Sequence, residues 1–230
     1  MIRKLASVQR VLDVSPIEGA DQIELVKVLG WQCVVKKGEF VLGELVVYCE
    51  VDSFLPVEPR YEFLRKSCYK KLSTGEEGFR IKTIRLRGKI SQGLVLPVPG
   101  GVSEGEDVTD LLGIIMYKPP IPTHLSGQVL RNFPSLIPKT DEIRIQSAPT
   151  VIKEFDGIQV YITTKINGSS MTVYQHEGHF GVCSRNLELR DVDGNSLWYL
   201  AKKYGLNVKS DIMEGFAIQG EIAGPGIQKN

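Results

Sequence analysis

The stretch that decides the fold of this chain is Thr163-Thr164-Lys165-Ile166-Asn167-Gly168-Ser169-Ser170. Fifty-six residues beyond its lysine comes the carboxylate of a second stretch, Gln219-Gly220-Glu221-Ile222-Ala223-Gly224-Pro225-Gly226-Ile227-Gln228. The first stretch places Lys165 between a strand-like run, residues 160–164, and a glycine turn. The second places Glu221 between glycines. A lysine held by a short tether at a strand end can act as a nucleophile once it has lost its proton, which burial or a neighbouring cation favours.

Two further stretches are informative, one upstream of Lys165 and one between Lys165 and Glu221. One is residues 133–146, and the other is Cys183-Ser184-Arg185-Asn186-Leu187-Glu188-Leu189. In their order along the chain, 133–146, 163–170, 183–189 and 219–228, the four stretches resemble the covalent nucleotidyltransferases and among them the RNA ligases, which load AMP onto a lysine as a phosphoramidate. The resemblance covers about residues 130–230. The N-terminal half resembles the domain that precedes the catalytic part in RNA ligases of the Deinococcus and Naegleria type.

One position departs from the family pattern. The usual family form is Lys-x-Asp-Gly, whereas Asn167 stands here in place of the acid. This difference removes a charge, although an amide keeps the capacity to donate and accept hydrogen bonds.

The resemblance implies a role for each candidate site residue. Lys165 is the nucleophile on the α-phosphorus of ATP, and Glu221 contacts the ribose or a water on a bound Mg²⁺ or Mn²⁺. Arg185 binds a phosphate or the terminal nucleotide, because a planar guanidinium fits phosphate oxygens. Arg144 is a weaker candidate for the triphosphate or a substrate phosphate. The remaining nucleotide-binding candidates are Gly168, where the backbone can come close to the nucleotide, and the adenosine-pocket residues Thr164, Ile166 and Asn167.

Each role has a plainer alternative that the sequence leaves open. Lys165 can be an ordinary surface lysine, and Glu221 a turn residue. Arg185 can form an ion pair with Glu188, and Arg144 can belong to a structural pair.

Charge is distributed unevenly along the chain. The net charge is +1, yet residues 60–89 hold ten basic residues against three acidic ones, a net +7 that leaves −6 elsewhere. A solvated charge run is the plain interpretation. Aromatic residues interleave with these cations, however, which is typical of a surface for phosphates and bases. We therefore predict an RNA-binding surface that includes Arg80, Lys82, Arg85 and Arg87.

Turn residues divide the N-terminal half into short strands. The predicted strands cover residues 5–14, 23–29, 31–36, 45–51, 79–87 and 93–98. Short strands between Gly and Pro turns indicate a small barrel of the OB type. In residues 79–87 the alternation slips near Thr83, which predicts a β-bulge. The run from Arg87 to Gly93 resembles a motif of tRNA-binding OB-folds, although tight turns alone would explain its glycines.

A proline-rich segment separates this barrel from the second half. Residues 117–122 contain three prolines and cannot form a helix or a central strand. We predict an OB-fold domain at residues 1–116, a linker at 117–130 and an adenylyltransferase domain at 131–230. Predicted strands at 160–164, 171–175, 180–184 and 214–222, with a helix capped by Asn195 or Ser196, make this second domain α+β, with an ATP-grasp-like ligase fold.

Composition excludes several classes of protein. Aliphatic runs are short and interrupted by charges, so no membrane span is predicted. The four cysteines lack Cys-x-x-Cys spacing, which favours free thiols in a reducing cytosol over structural zinc. His176 and His179 are predicted to face solvent. We expect a cytoplasmic monomer that binds RNA, or an RNA/DNA duplex, at a nick.

Three functions compete at this point. The first is an ATP-dependent RNA ligase that joins a 3′-hydroxyl to a 5′-phosphate through lysyl-AMP. The second is another lysyl-nucleotidyltransferase, a DNA ligase or a capping enzyme, although these usually place the barrel after the catalytic domain. The third is a non-catalytic RNA- or tRNA-binding OB-fold protein.

The family resemblance also concerns the end of the chain. An adenine-stacking aromatic, a second metal carboxylate and a Lys-x-Lys pair follow the second stretch in these ligases. We therefore expect the 230 residues to be a C-terminally incomplete piece of a longer ligase, inactive or nearly so by itself.

Overall fold

The computed structural model describes residues 3–72, 74–121, 125, 127–139, 144–207, 214–225 and 227–228. The chain forms two compact units. The N-terminal unit comprises Met1–Pro120 and Ile143–Ile158, and the C-terminal unit comprises Ile121–Glu142 and Gln159–Asn230. The domain boundaries predicted near residues 116 and 130 stay a prediction.

The first sheet of the N-terminal unit is five-stranded and antiparallel. Its strands are β1 (Ala6–Pro16), β2 (Ile23–Val28), β3 (Trp31–Lys36), β4 (Leu45–Cys49) and β10 (Leu94–Pro97). The strand order is β10-β4-β1-β2-β3, so the long β1 pairs with both β2 and β4. Trp31, Cys33 and Val35 are buried and alternate with more exposed residues, because every second side chain of a strand points to the same face.

Hydrogen bonds link the two edges of this sheet. The Gln92 N–H, just before β10, donates to the Gln32 carbonyl in β3 at 2.8 Å. The Tyr48 hydroxyl donates to the Gln92 carbonyl at 2.7 Å. At Gly93 a Cβ would lie 2.5 Å from the Tyr48 ring, so only glycine fits at this position. The sheet therefore curls into the OB-like barrel that the short strands predict.

An insertion fills the connection between β4 and β10, the fourth and fifth strands of the barrel. It contains β5 (Ser53–Pro56), a 3-10 helix (Pro59–Leu64), α1 (Arg65–Cys68), β6 (Tyr69–Lys71), β7 (Glu77–Arg80), β8 (Ile84–Leu86) and β9 (Lys89–Ser91). With β11 (Ile115–Met116), the strands β5, β6 and β7 form a sheet of order β11-β5-β7-β6, while β8 and β9 form a separate hairpin.

Two details of this half differ from prediction. The single strand predicted over residues 79–87 is wrong, because β7 ends at Arg80 and β8 begins at Ile84. Between them Ile81 is buried and exchanges backbone hydrogen bonds with Asp52 and Ser53, so the slip near Thr83 is a break and not a bulge. The end predicted for the first strand at residue 14 is also wrong, since β1 continues through Ser15 and Pro16 and both pair with β2.

The C-terminal unit is built on a second five-stranded antiparallel sheet. Its strands are β12 (Val129–Asn132), β13 (Ser169–His176), β14 (His179–Cys183), β15 (Leu187–Leu189) and β16 (Ala217–Ile222), in the order β12-β15-β14-β13-β16. One face is apolar. There Met171, Val173, Val182 and Leu189 pack against Leu197 and Ala201 of α3 (Ser196–Lys203).

The helix α3 begins as predicted. The Asn195 side chain accepts hydrogen bonds from the backbone N–H groups of Leu197 and Trp198, both at 3.1 Å. This cap satisfies two donors that the first helical turn leaves unpaired. Trp198 packs edge-on against Phe180 and donates to the Leu189 carbonyl at 2.8 Å, so it is a packing residue. Tyr204, which follows the helix, is exposed.

The strand predicted at residues 160–164 is wrong. This segment has no regular secondary structure, and Tyr161 and Ile162 are 92% and 93% exposed. No described strand pairs with it, so its apolar side chains lack a partner face. The segment α2 (Val151–Glu154) and a 3-10 helix (Ile145–Ser147) belong to the N-terminal unit.

Candidate active site

The pairing of β13 with β16 brings the two sequence stretches together. In this antiparallel ladder Ser169 is opposite Ile222 and Ser170 is opposite Glu221. Lys165 precedes β13 by only four residues, and Glu221 lies at the paired end of β16. Fifty-six residues of sequence separation are thus closed by one strand pair.

Gly168 is the junction between the two stretches. Its N–H donates a hydrogen bond to Oε1 of Glu221 at 3.1 Å. A Cβ at this position would lie 2.1 Å from the Ile222 carbonyl oxygen and 2.7 Å from Glu221 Cγ. Because no real Cβ approaches a backbone oxygen so closely, only glycine fits, and the Lys165 loop is fixed to the Glu221 strand.

The end of the second stretch also returns to the first. The Gln228 side-chain amide donates to the Ser169 hydroxyl at 3.3 Å. Gly226, quoted in the same stretch, lies outside the described residues. Thr164, Lys165, Ile166 and Asn167 are exposed, while Gly168 is buried. The candidate nucleophile is therefore accessible, on a loop whose base is held in place.

The candidate carboxylate lies on a polar face of the sheet. Cross-strand partners in an antiparallel sheet point to the same side. Glu221 thus shares its face with Ser170 of β13, and Gln219 shares it with Thr172. This is the face opposite α3.

A strap formed by residues 133–139 crosses part of this polar face. Ile137 and Phe133 pack on Tyr174 and Cys183, and the Gln219 amide donates to the Pro138 carbonyl at 2.8 Å. The predicted stretch 133–146 continues through residues 140–143, which lie outside the described residues. A groove of about 380 Å³ lies beside the strap, at the Tyr174 end of β13 and away from Gly168.

Arg185 occupies the turn between β14 and β15. The turn is closed by the Ser184 N–H, which donates to the Leu187 carbonyl at 2.8 Å, and its Asn186 carbonyl accepts from the Phe133 N–H at 2.9 Å. The Arg185 side chain is exposed. The alternative ion pair with Glu188 is not among those of the described residues, where Glu188 pairs with Arg131 and His179.

Glu188 is a site that sequence reasoning missed. Its side chain is fully buried, yet it is surrounded by polar partners. Oε2 accepts from Arg131 Nε at 2.6 Å and from the Tyr174 hydroxyl at 2.9 Å, and Oε1 lies 2.6 Å from His179 Nε2. The prediction that His179 faces solvent is therefore incomplete. A Leu-Glu-Leu strand gives no hint that its glutamate is buried, because burial depends on which strands flank it.

The surroundings of Glu188 determine its charge. Burial alone raises the pKa of this carboxyl, but hydrogen bonds from Arg131, His179 and Tyr174 outweigh burial and hold the pKa below its usual range. Burial and the bond to Glu188 raise the pKa of Tyr174 to about 12. Glu188 is therefore an ionised, satisfied carboxylate that joins β12, β13, β14 and β15.

Arg144 lies in the N-terminal unit, whereas Lys165, Glu221 and Arg185 lie in the C-terminal one. Its guanidinium is 5.8 Å from the centroid of the Trp31 ring. The following residues are held to the barrel, since Trp31 Nε1 donates to the Ser147 hydroxyl at 3.1 Å and the Gly30 N–H donates to the Gln146 carbonyl at 2.7 Å.

The predicted RNA-binding residues have different environments. Arg80 forms an ion pair with Asp52 at 2.8 Å and lies 4.2 Å from the centroid of the Tyr117 ring. Lys82, Arg85 and Arg87 are exposed, on or beside the β8–β9 hairpin.

Two kinds of feature are absent from the described ranges. No group of three His, Cys, Asp or Glu side chains within them could hold a metal ion. No helix within them is long and apolar enough to cross a membrane.

Comparisons with known proteins find a matching family model in each half of the chain. A family model described as an OB-fold domain matches residues 5–98, and one described as RNA ligase matches residues 158–230. No curated protein sequence matches the chain.

Solved structures of Naegleria gruberi RNA ligase are similar over the whole chain. A variant of that ligase with AMP and Mn is 43% identical at a TM-score of 0.79, covering 99% of this chain and 69% of its own. The structure with PPi is 43% identical at 0.77, covering 100% and 69%. A variant with ATP and Mn is 42% identical at 0.78, covering 99% and 69%.

Proposed function

This chain belongs to the RNA ligase family, and from that premise we propose which of its residues carry the reaction. The protein is an ATP-dependent RNA ligase. Its candidate nucleophile is Lys165. The observation that carries this assignment is the hydrogen bond from the Gly168 N–H to Glu221, which unites the Lys165 loop and the Glu221 strand in one site.

The first step forms lysyl-AMP. The deprotonated Nζ of Lys165 attacks the α-phosphorus of ATP, a nitrogen–phosphorus bond forms, the bond to the bridging oxygen breaks, and pyrophosphate leaves with its electron pair. The 5′-phosphate of RNA then displaces Lys165 and takes the AMP. Attack of a 3′-hydroxyl on the activated end joins the strands and releases AMP.

The residues around Lys165 bind and orient the nucleotide. We assign Thr164, Ile166 and Asn167 to the adenosine pocket, because they flank Lys165 and are exposed. Gly168 keeps the backbone close enough for its N–H to hold Glu221. Asn167 supplies hydrogen bonds at the position where the family form has an acid.

A divalent cation, Mg²⁺ or Mn²⁺, is part of this proposal, and the donor set fits it. Glu221 is an exposed carboxylate, and oxygen is the ligand that these hard cations prefer. No group of three His, Cys, Asp or Glu side chains within the described residues could hold such an ion, so we propose that Glu221 would hold it through water, together with the phosphates of bound ATP. The cation neutralises charge on the phosphates.

Two arginines are proposed to bind phosphate. Arg185 is exposed beyond the end of β14, on a turn that the Ser184–Leu187 hydrogen bond holds rigid. Arg144 is anchored by the contacts of its neighbours with Trp31 and Gly30. A fixed guanidinium fork can make paired hydrogen bonds to phosphate oxygens.

We further propose the substrate and setting. The substrate is a nicked duplex of RNA or RNA/DNA, and the N-terminal unit contributes to binding through cations among residues 60–89. The ligase works as a monomer in the cytoplasm, where its four buried free cysteines remain reduced. The competing functions, a DNA ligase, a capping enzyme or a non-catalytic OB-fold protein, do not fit membership of the RNA ligase family.

The assignment of Lys165 is tested by covalent labelling. Full-length protein incubated with a divalent metal and ATP radiolabelled at the α-phosphate is expected to become labelled. Lys165→Ala and Lys165→Arg are expected to abolish the label, while Lys203→Ala, on exposed α3 surface, retains it. A label of wild-type intensity on Lys165→Ala would remove Lys165 as the nucleophile.

A further inference from the structure

The ten cations of residues 60–89 fall into two groups. Four of them form ion pairs with carboxylates of the same unit. These pairs are Arg60–Glu58 at 2.7 Å, Arg65–Glu62 at 2.5 Å, Lys71–Glu77 at 3.0 Å and Arg80–Asp52 at 2.8 Å. The +7 charge of the segment therefore does not describe a uniform surface.

Four cations of the second group share one small element, which we name the basic hairpin, residues 82–89. Lys82, Arg85, Arg87 and Lys89 are all exposed. Within the described ranges no carboxylate forms an ion pair with any of them. The hairpin thus concentrates unneutralised positive charge at one place.

The turn of the basic hairpin is tight. Ile84 pairs with Ser91, and Leu86 pairs with Lys89, so the turn has two residues. Arg87 and Gly88 have φ angles of 48° and 77°, as a type I′ turn requires at both central positions. The backbone itself therefore fixes where the cations project.

The base of the hairpin is attached to the barrel. The Ser91 hydroxyl accepts from the Val34 N–H at 3.0 Å, and the Gln32 amide donates to the Ile90 carbonyl at 2.7 Å. Both partners lie in β3. The cations consequently extend from a rigid platform, in the connection between the fourth and fifth barrel strands, which OB-folds commonly use for nucleic acid.

The aromatic residues of this segment are not available for base stacking at the hairpin. Tyr61 and Phe79 are buried, and Tyr69 is half-buried. Phe63 is exposed, but it lies on the 3-10 helix and not on the hairpin. Proteins that hold single strands combine cations with stacking aromatics. The hairpin offers the cations alone, which suits a duplex whose bases are already stacked.

We propose that the basic hairpin binds the phosphate backbone of double-stranded RNA, whereas the paired cations, Arg80 included, stabilise the fold. This inference rests on the proposed function, since it specifies how the ligase holds its duplex. Phosphate contacts position a protein on a duplex without selecting a sequence. A ligase that seals breaks needs contacts of that kind.

The test compares two triple variants of equal charge. K82Q/R85Q/K89Q removes three of the four hairpin cations and keeps Arg87 in the turn, and R60Q/R65Q/K71Q removes the same number of paired cations. Full-length wild type and both variants are titrated against a fluorescent nicked RNA duplex between about 50 and 200 mM salt. For the hairpin variant we expect affinity lower by on the order of 100-fold at 0.1 M salt, and a salt slope flatter by up to about 2.7.

The outcomes separate the inference from its premise. Equal losses in both variants, or no loss in the hairpin variant, would overturn the hairpin proposal, and so would equal affinity of wild type for single-stranded RNA of the same length. Thermal unfolding of both variants shows whether each remains folded. Self-labelling of wild type with ATP needs no RNA, so its absence would count against the proposed function and leave the binding result standing.

Discussion

Glu221 and Glu188 lie on the same face of the same sheet, but in opposite circumstances. Cross-strand pairs connect Glu221 to Ser170 and Glu188 to Cys183 and Thr172, which places both carboxylates on the side away from α3. Glu188 is fully buried with three side-chain partners. Glu221 is exposed and accepts one backbone hydrogen bond from Gly168.

The difference separates a structural carboxylate from the carboxylate of the proposed active site. Both oxygens of Glu188 are hydrogen-bonded to groups of its own sheet and the side chain is fully buried, so a ligand cannot reach it. Glu221 is oriented by a single donor and retains free acceptor positions for a ribose hydroxyl or a metal-bound water. Substitutions at the two positions should therefore affect different measurements.

The largest expected effect is at the junction, with Gly168→Ala. The new Cβ would meet the Ile222 carbonyl at 2.1 Å, so β13 and β16 must separate at this point. We expect a loss of about 3 kcal/mol in the free energy of unfolding and loss of self-labelling beyond about a hundredfold. Urea unfolding and the radiolabelling assay measure the two effects.

Gly220→Ala is the matched control. Gly220 lies in the same strand pair, but a Cβ there meets nothing within 4 Å. We expect its free energy of unfolding within about 1 kcal/mol of wild type. If both alanine variants behave alike, the close contact at Gly168 is not what holds the Lys165 loop.

Glu221→Gln is expected to change activity and leave stability nearly unaltered. The amide oxygen can still accept from the Gly168 N–H, so the substitution removes mainly the charge. By analogy with preorganised polar groups in other active sites, we expect about a hundredfold slower self-labelling. The melting temperature should remain close to that of wild type. A variant that labels at the wild-type rate would show that this charge is dispensable.

Local pattern predicted much of this fold, but long-range pairing decided the site. The alternation of Trp31, Cys33 and Val35 predicts β3 with its observed ends, and Asn195 caps α3 as expected. Residues 160–164 have the same apolar character, yet form no strand, because a strand also needs a partner. The β-propensity of a segment depends on its own residues, whereas its burial in a sheet depends on the neighbouring strands.

Glu221 and Glu188 show the same limit of prediction from local sequence. Glu221 is singled out by its flanking glycines and by family resemblance. Its hydrogen bond with Gly168 follows from the β13–β16 register, which no local pattern specifies. Glu188 has no signal at all in sequence, since its three partners come from β12, β13 and β14.

Glu188→Gln is expected to reduce stability and to spare the chemistry at Lys165. A hydrogen bond to a charged group contributes about 1.5–3 kcal/mol, and Arg131 and His179 are exposed enough to be hydrated once the charge is gone. We therefore expect a loss of about 2 kcal/mol in the free energy of unfolding. The control is Glu177→Gln, whose side chain is 86% exposed and which should change stability little. Equal stability of the two variants would contradict a structural role for Glu188.

The smallest expected effect is the pH dependence of the stability difference between wild type and Glu188→Gln. The pKa of Glu188 is lowered in the folded state, because hydrogen bonds from Arg131, His179 and Tyr174 outweigh its burial. The stability that its charge contributes is thus complete above the unfolded pKa of about 4.3 and is lost as the pH falls through the lower folded pKa. The stability difference between wild type and Glu188→Gln should therefore be constant near neutral pH and shrink below about pH 4. Urea unfolding of both proteins across this range measures it, and a difference that grows on acidification would show that Glu188 is not held as an ionised carboxylate.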